Sequence, residues 1–161
     1  MKKLALAAIA TLAVATPAMA QDAADFSGPS ATVITGYDVV DLNTPGVKNP
    51  DGVIYGLGLG YDIQSGAAVF GIEGEIADSS ATLKAGAVTV ARADRDLYIG
   101  GPLGYGAGRA LLYGKVGYSN ARISSPLGGA NADGIRLGAG IEYKVTDTIF
   151  GKVEYRYSNY E

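Results

Sequence analysis

The chain has no cysteine, no histidine and no tryptophan. Without cysteine, neither a disulfide framework nor a thiolate metal site holds the fold together. Without histidine, His-dependent triads, imidazole metal sites and the commonest general base drop out together. Basic residues are few and dispersed: thirteen Lys and Arg stand against sixteen Asp and Glu, a net charge of −3, and no basic patch stands out for nucleic acid. The apolar run from Leu4 to about Val14 is well short of the ~20 residues that a membrane-spanning helix needs.

That run has another reading. It follows Lys2 and Lys3 and precedes Ala18-Met19-Ala20, the pattern of a cleaved secretory signal, so residues 1–20 are expected to be a leader and the mature chain to begin at Gln21. Removing Lys2 and Lys3 leaves eleven basic against sixteen acidic residues, a net charge of about −5. Residues 21–161 suit one domain, with no Pro/Ser-rich linker dividing them.

Glycine, by contrast, is abundant. The 24 glycines mostly occupy alternate positions inside apolar-periodic segments rather than flexible runs. Val53–Ile63 reads V-I-Y-G-L-G-L-G-Y-D-I, with large apolar residues at every odd position and glycine or aspartate at every even position after Ile54. The same period of two returns at Ala68–Ala77, Asp133–Tyr143 and Thr148–Tyr157, each close to the ~9–11 residues that cross a bilayer as a tilted strand. Further strands are expected at Ala31–Val40, about Asp94–Tyr105 and about Ala110–Asn120. The fold class is therefore all-β: an antiparallel up-and-down transmembrane β-barrel.

Short connections at 64–67, 106–109 and 144–147 alternate with long ones at 41–52, about 78–93 and 122–132. Outer-membrane barrels have this asymmetry, with short turns on the periplasmic side and longer loops outside. Seven strands are visible. Bacterial barrels use an even number, since unpaired first and last strands would leave backbone groups facing hydrocarbon, so the eight-stranded type is expected with the C-terminal strand missing. Ala85–Ala93 is the one stretch that could hide a further strand. Pro102, in mid-strand, removes a ladder donor.

The expected outward face carries Val53, Leu57, Leu59, Ile63, Phe70, Ile72, Ile76, Leu97, Ile99, Leu103, Ile135, Leu137, Ala139, Ile141, Ile149 and Val153. In water this would be an apolar patch far beyond what a monomer tolerates. Tyr55, Tyr61, Tyr105, Tyr118, Tyr143, Tyr155 and Tyr157 lie near strand ends, as interfacial aromatics do. The opposite face carries Asp62, Glu73, Glu75, Asp96, Lys115, Arg136, Glu142, Lys152, Glu154 and Arg156. Buried charges need partners, so these groups form either a polar lumen that conducts or an ion-pair plug. An eight-stranded barrel is only just wide enough for side chains to fill, which favours the plug; six of the ten are acidic, which would favour cations through any open path.

No catalytic constellation emerges. Gly56-Leu57-Gly58-Leu59-Gly60 lies within a strand and lacks the strand-to-helix transition of a dinucleotide loop. Glu73 and Glu75, two apart on one face, could mimic a carboxylate pair, but interleaved Lys and Arg favour salt bridges. Asp94, Asp96, Asp41 and Asp51 could hold a divalent cation only weakly. No enzyme activity, cofactor or metal is expected.

Phe26-Ser27-Gly28-Pro29, Asp51–Gly56, Gly60-Tyr61-Asp62, Val69–Glu75, Arg95–Gly100, Leu112–Arg122 and Val153–Ser158 together resemble the small porin-like, opacity-type outer-membrane barrels of Gram-negative bacteria, relatives of the transmembrane domain of outer membrane protein A. The resemblance implies an eight-stranded barrel in the cell outer membrane, surrounded by its lipid and inserted by the barrel assembly machinery. It implies a structural or porin-like role: envelope integrity, limited solute passage and surface-exposed loops. A soluble periplasmic barrel binding an apolar ligand is the alternative, and it requires the two faces to be reversed.

Overall fold

Alternation of apolar and small or charged residues makes each segment a strand with two unlike faces, and the chain folds almost wholly into such strands. The structure, a computed structural model, describes the backbone of residues 2–15, 25–39, 51–80, 82–85, 88–125 and 128–160, with side chains at 25–39, 51–80, 95–122 and 131–160. The strands are β1 (Lys2–Ala15), β2 (Gly28–Val39), β3 (Asp51–Ser65), β4 (Ala68–Ser79), β5 (Thr82–Ala85), β6 (Val88–Ala107), β7 (Ala110–Ser125), β8 (Gly128–Lys144) and β9 (Ile149–Tyr160). They form one antiparallel sheet in the order β4-β3-β2-β1-β9-β8-β7-β6-β5, and β4 also pairs with β6. That last pairing closes a ring of eight. Strand β5 stands outside the ring as a short extension of the β5–β6 hairpin.

The ring differs from the sequence expectation in how it reaches eight. Seven ring strands run from Gly28 onward, and Lys2–Ala15 supplies the eighth, hydrogen-bonded to β2 on one side and β9 on the other. The segment read as a leader thus lies in the slot assigned to a missing C-terminal strand. The stretch Ala85–Ala93 supplies no separate ring strand among the described residues: Ala85 ends β5 and Val88–Ala93 begin β6.

Two of the expected long loops are also strand. Arg122–Ala132 continues β7 and β8, paired from Arg122↔Asn131 to Ser125↔Gly128. Cross-strand hydrogen bonding carries the hairpin on despite the glycines. Of the stretch 78–93, most is β4, β5 or β6. The expected loop at 41–52 lies outside the described residues except for Asp51 and Gly52, which begin β3. The tight turns are as expected, with Gly66 and Gly108 at φ +61°, a left-handed conformation glycine adopts without steric cost.

Pro102 sits in β6 facing β4. The β4–β6 ladder runs from Ala68↔Tyr105 to Phe70↔Leu103, then resumes at Glu73↔Gly100, with Gly71 and Ile72 unpaired between. A proline has no N–H to give, and the register is the same on both sides of the lapse, so no bulge accounts for it. Replacing Pro102 with Ala should restore one donor, worth about 1 kcal/mol, and slow amide exchange at Gly71 and Ile72 roughly fivefold. Unchanged exchange there would show that the lapse has another cause.

Candidate functional site

The ring sorts side chains into two environments. Outside are Leu57, Leu59, Ile72, Ile99, Leu103, Leu112, Ile135 and Val153, each more than half exposed, with Leu59 and Ile72 at 71% and 70%. Tyr55, Tyr61, Tyr105, Tyr118, Tyr143 and Tyr155 are likewise exposed on this face, and Tyr157 alternates with them on β9. Along β6 the apolar stretch runs from Tyr105 to Leu97; its roughly eight steps at about 3.4 Å each and a tilt of about 40° give a band roughly 20 Å tall. Beyond it on the long-hairpin side stand polar residues, among them Arg95, Asn120, Arg122 and Asp133.

All ten charges expected on the other face point into the ring, where the period of two places them. They interlock across it. Lys115 on β7, its side chain fully buried, lies 2.7 Å from Glu73, 2.9 Å from Glu75 and 2.9 Å from Glu154. Arg156 reaches Glu75 at 2.8 Å and donates through Nε to Glu154 on its own strand. Arg136 pairs with Asp96 and lies 3.9 Å from Glu75. Lys152 bridges Glu73 at 3.8 Å and Glu142 at 3.7 Å. Asp62 completes the set on β3, half-buried.

Neutral groups tie the belt down. Tyr113 Oη donates to Glu154 at 2.7 Å; Ser119 Oγ meets Asp96 at 2.9 Å, and Arg136 Nη2 donates to Ser119 and Tyr160 at 2.9 and 3.0 Å. The Lys115 ammonium also sits 4.7 Å from the centre of the Tyr98 ring. Gly138 gives Lys115 its room: a Cβ there would stand 2.9 Å from Lys115 Cγ.

Apolar layers close the belt above and below. Toward the long hairpins Ile34, Ile54 and Ala77 form a buried cluster. Toward the short turns Phe26, Val69, Leu111 and Tyr113 form another. Phe26 lies ahead of the first strand of the Gly28–Tyr160 run, and the chain is pinned across this mouth: its amide donates to Gln64 Oε1 at 2.8 Å, and Gln64 N donates to Ser27 Oγ at 3.0 Å. Lys144 donates to the Asp25 carbonyl, with its ammonium 5.1 Å from the Phe26 ring centre. Outside the strands, the Ser27 amide holds the Asp25 carboxyl below its usual range, helped by the Ser27 hydroxyl and Lys144.

Sequence reasoning missed Phe26, Lys144, Asp38, Tyr98, Tyr113, Ser119 and Tyr160 as members of the interior. Register could have found Asp38, Tyr98, Tyr113, Ser119 and Lys144, since each alternates with an outward residue; Phe26 lies just ahead of β2, outside any strand, and left no periodic signal. Among the described residues the weak cation positions do not converge. Asp96 turns inward onto Arg136, Asp51 accepts from Tyr37, and Asp41 and the Asp94 side chain lie outside the described residues. Glu73 and Glu75 are both held by Lys115.

The family model of the outer membrane protein β-barrel domain matches residues 6–161. The chain belongs to this family. It is 29% identical over 129 residues to the 25 kDa outer-membrane immunogenic protein of Brucella abortus, covering 78% of this chain and 60% of that one. A 22 kDa outer membrane protein of Rhizobium leguminosarum bv. viciae is 30% identical over 115 residues, 66% of this chain and 54% of the relative. The chain thus spans somewhat over half the length of these relatives. It is an outer-membrane barrel protein.

Lys115 holds three buried carboxylates at once, so removing its charge leaves Glu73, Glu75 and Glu154 with too little positive charge around them. Lys115→Met should cost this outer-membrane barrel about 3–5 kcal/mol, read by urea unfolding in detergent micelles. A loss under about 1 kcal/mol would mean that the belt is wetter and looser than its distances indicate.

Proposed function

We propose that the chain is exported from the cytoplasm of a Gram-negative bacterium by residues 1–20, cleaved after Ala20, and inserted by the barrel assembly machinery as a structural outer-membrane barrel. Its lumen is plugged, its wall is solvated by lipid, and its long hairpins face the environment. The observation that carries this reading is the opposition of faces: aliphatic residues outward in a continuous band, ion pairs inward. Charge in the interior supports a plug over a pore because the belt is capped by apolar clusters on both sides. Porin-like passage would be slow and cation-preferring. No catalytic role is proposed.

A soluble periplasmic barrel with an apolar ligand inside requires the opposite arrangement. Its interior would have to accept an apolar molecule among Glu75, Lys115, Glu154 and Arg156, at several kcal/mol for each ion left unpaired.

Cleavage after Ala20 removes all of β1, because Lys2–Ala15 lies within the leader. The mature ring then has to close again, β2 against β9 or through another strand. The test is to express the full chain, isolate outer membranes, and measure intact mass, heat-modifiable migration and bilayer conductance. The expected result is a detergent-extracted, heat-modifiable species whose mass begins at Gln21, with little or no conductance. A chain retaining residues 2–15 in the membrane would overturn cleavage, steady conductance would overturn the plug, and recovery in the osmotic-shock fraction would overturn the membrane location.

A further inference from the structure

On the outer face, two arginines stand where electrostatics disfavours them. Arg95 on β6 and Arg122 on β7 are directly paired in register. Both are exposed, and both belong to the outward set, since Arg95 alternates with inward Asp96 and Arg122 lies two residues beyond Asn120, which follows inward Ser119. Like charges directly opposite on one sheet face repel. Neither has an acidic partner among the described residues. Asp133 on β8 is the nearest outward acid on that side, and it already accepts from Asn120. Asp78 flanks the pair on β4 without bonding it.

Immediately below the pair lies a groove. It has a volume of about 1000 Å³ and runs across the outward face of β2, β3, β4, β6 and β7, lined by Leu57, Leu59, Ile76, Leu97 and Ile99 with Gly74 at its floor. Gly74 keeps the floor low, and a Cβ there would meet only the Tyr98 carbonyl, at 3.8 Å. The groove ends at Tyr118 and Asn120, so Arg122 is two residues, about 7 Å of strand, past its rim, and Arg95 is as far past Leu97. An apolar trough leading up to two unpaired cations fits an amphiphile with an acyl chain and an anionic head.

We infer that this wall is a binding site for one phosphorylated lipid of the outer leaflet, its acyl chain lying in the groove over Gly74 and its phosphate held between Arg95 and Arg122. A phosphate accepts two guanidinium groups at once, which turns the repulsion between them into a shared attraction. Alternation sets the height: Arg95 and Arg122 occupy the first polar row above the apolar band, at the depth of the headgroups. The inference rests on the membrane location proposed above.

The experiment reconstitutes the full-length protein in phosphatidylcholine nanodiscs containing either a bisphosphorylated, multiply acylated glycolipid or the same glycolipid after phosphatase treatment, and counts retained lipid by native mass spectrometry. The phosphorylated form should be retained about tenfold more strongly, in line with roughly 1 kcal/mol for each basic residue at a charged lipid surface. Arg95→Gln with Arg122→Gln should abolish that preference. Gly74→Leu, which fills the groove and leaves both charges, should lower retention of both forms. Arg122→Gln alone serves if the double variant fails to fold. Equal retention of the two lipids by the unaltered protein, no effect of removing the arginines, or full displacement by inorganic phosphate would each overturn the site. Failure of the unaltered protein to enter nanodiscs as a heat-modifiable species would instead overturn the membrane reading itself.

Discussion

Everything in this fold depends on leaving no strand edge open. Each residue of a strand carries an N–H and a C=O, and in hydrocarbon no water can satisfy them, so the sheet must return upon itself. The β4–β6 pairing is where it does so, and the lapse opposite Pro102 is the one place in that seam where the chain forgoes a donor. Closure in turn fixes the inside. An eight-membered ring leaves an interior about one side chain deep from each wall, so whatever faces inward must fill the space and neutralise itself.

The charged belt follows from that narrowness. Four acids and four bases, Glu73, Glu75, Asp96, Glu154, Lys115, Arg136, Lys152 and Arg156, come from β4, β6, β7, β8 and β9, and most touch a partner on another strand. Such pairs add little net stability over an apolar core of the same shape. They do impose register: a strand slipped by one residue would send its charges into lipid and its leucines into the belt. Glycines at 56, 58 and 60 on β3 and at 134, 138 and 140 on β8 are the complement, leaving space opposite the long side chains. The interior reads as a device for specifying one arrangement of strands, and Lys115, with its three carboxylates, is its centre.

The period of two made this legible in advance. It separates the charged positions of each strand from the apolar ones, because alternation in a strand is a geometric necessity that needs no neighbour to enforce it. Pairing distances were not legible, since Lys115 and Glu75 are forty residues apart and meet only through the shear of the ring. Strand ends were misjudged at 78–93 and 122–132, where Gly, Ser and Pro read as loop while cross-strand hydrogen bonding carried the hairpins on. Phe26 was invisible for a different reason: a residue that caps a mouth has no period. The eighth strand was the hardest, because Lys2–Ala15 reads Lys-Lys-Leu-Ala-Leu-Ala-Ala-Ile-Ala-Thr-Leu-Ala-Val-Ala, with no polar residue on alternate positions to mark an inward face.

That last contrast bears on how the slot between β2 and β9 is used. The other seven ring strands each carry glycine or charge on the inner face, and their partners expect it: Arg156, Glu154 and Lys152 of β9 stand beside the positions that β1 pairs. These three bond within the belt, on Glu75, Lys115, Tyr113 and Glu142. Among the described residues every ion pair of the belt joins β4, β6, β7, β8 and β9, so the register of those strands is held by contacts that lie outside the slot between β2 and β9.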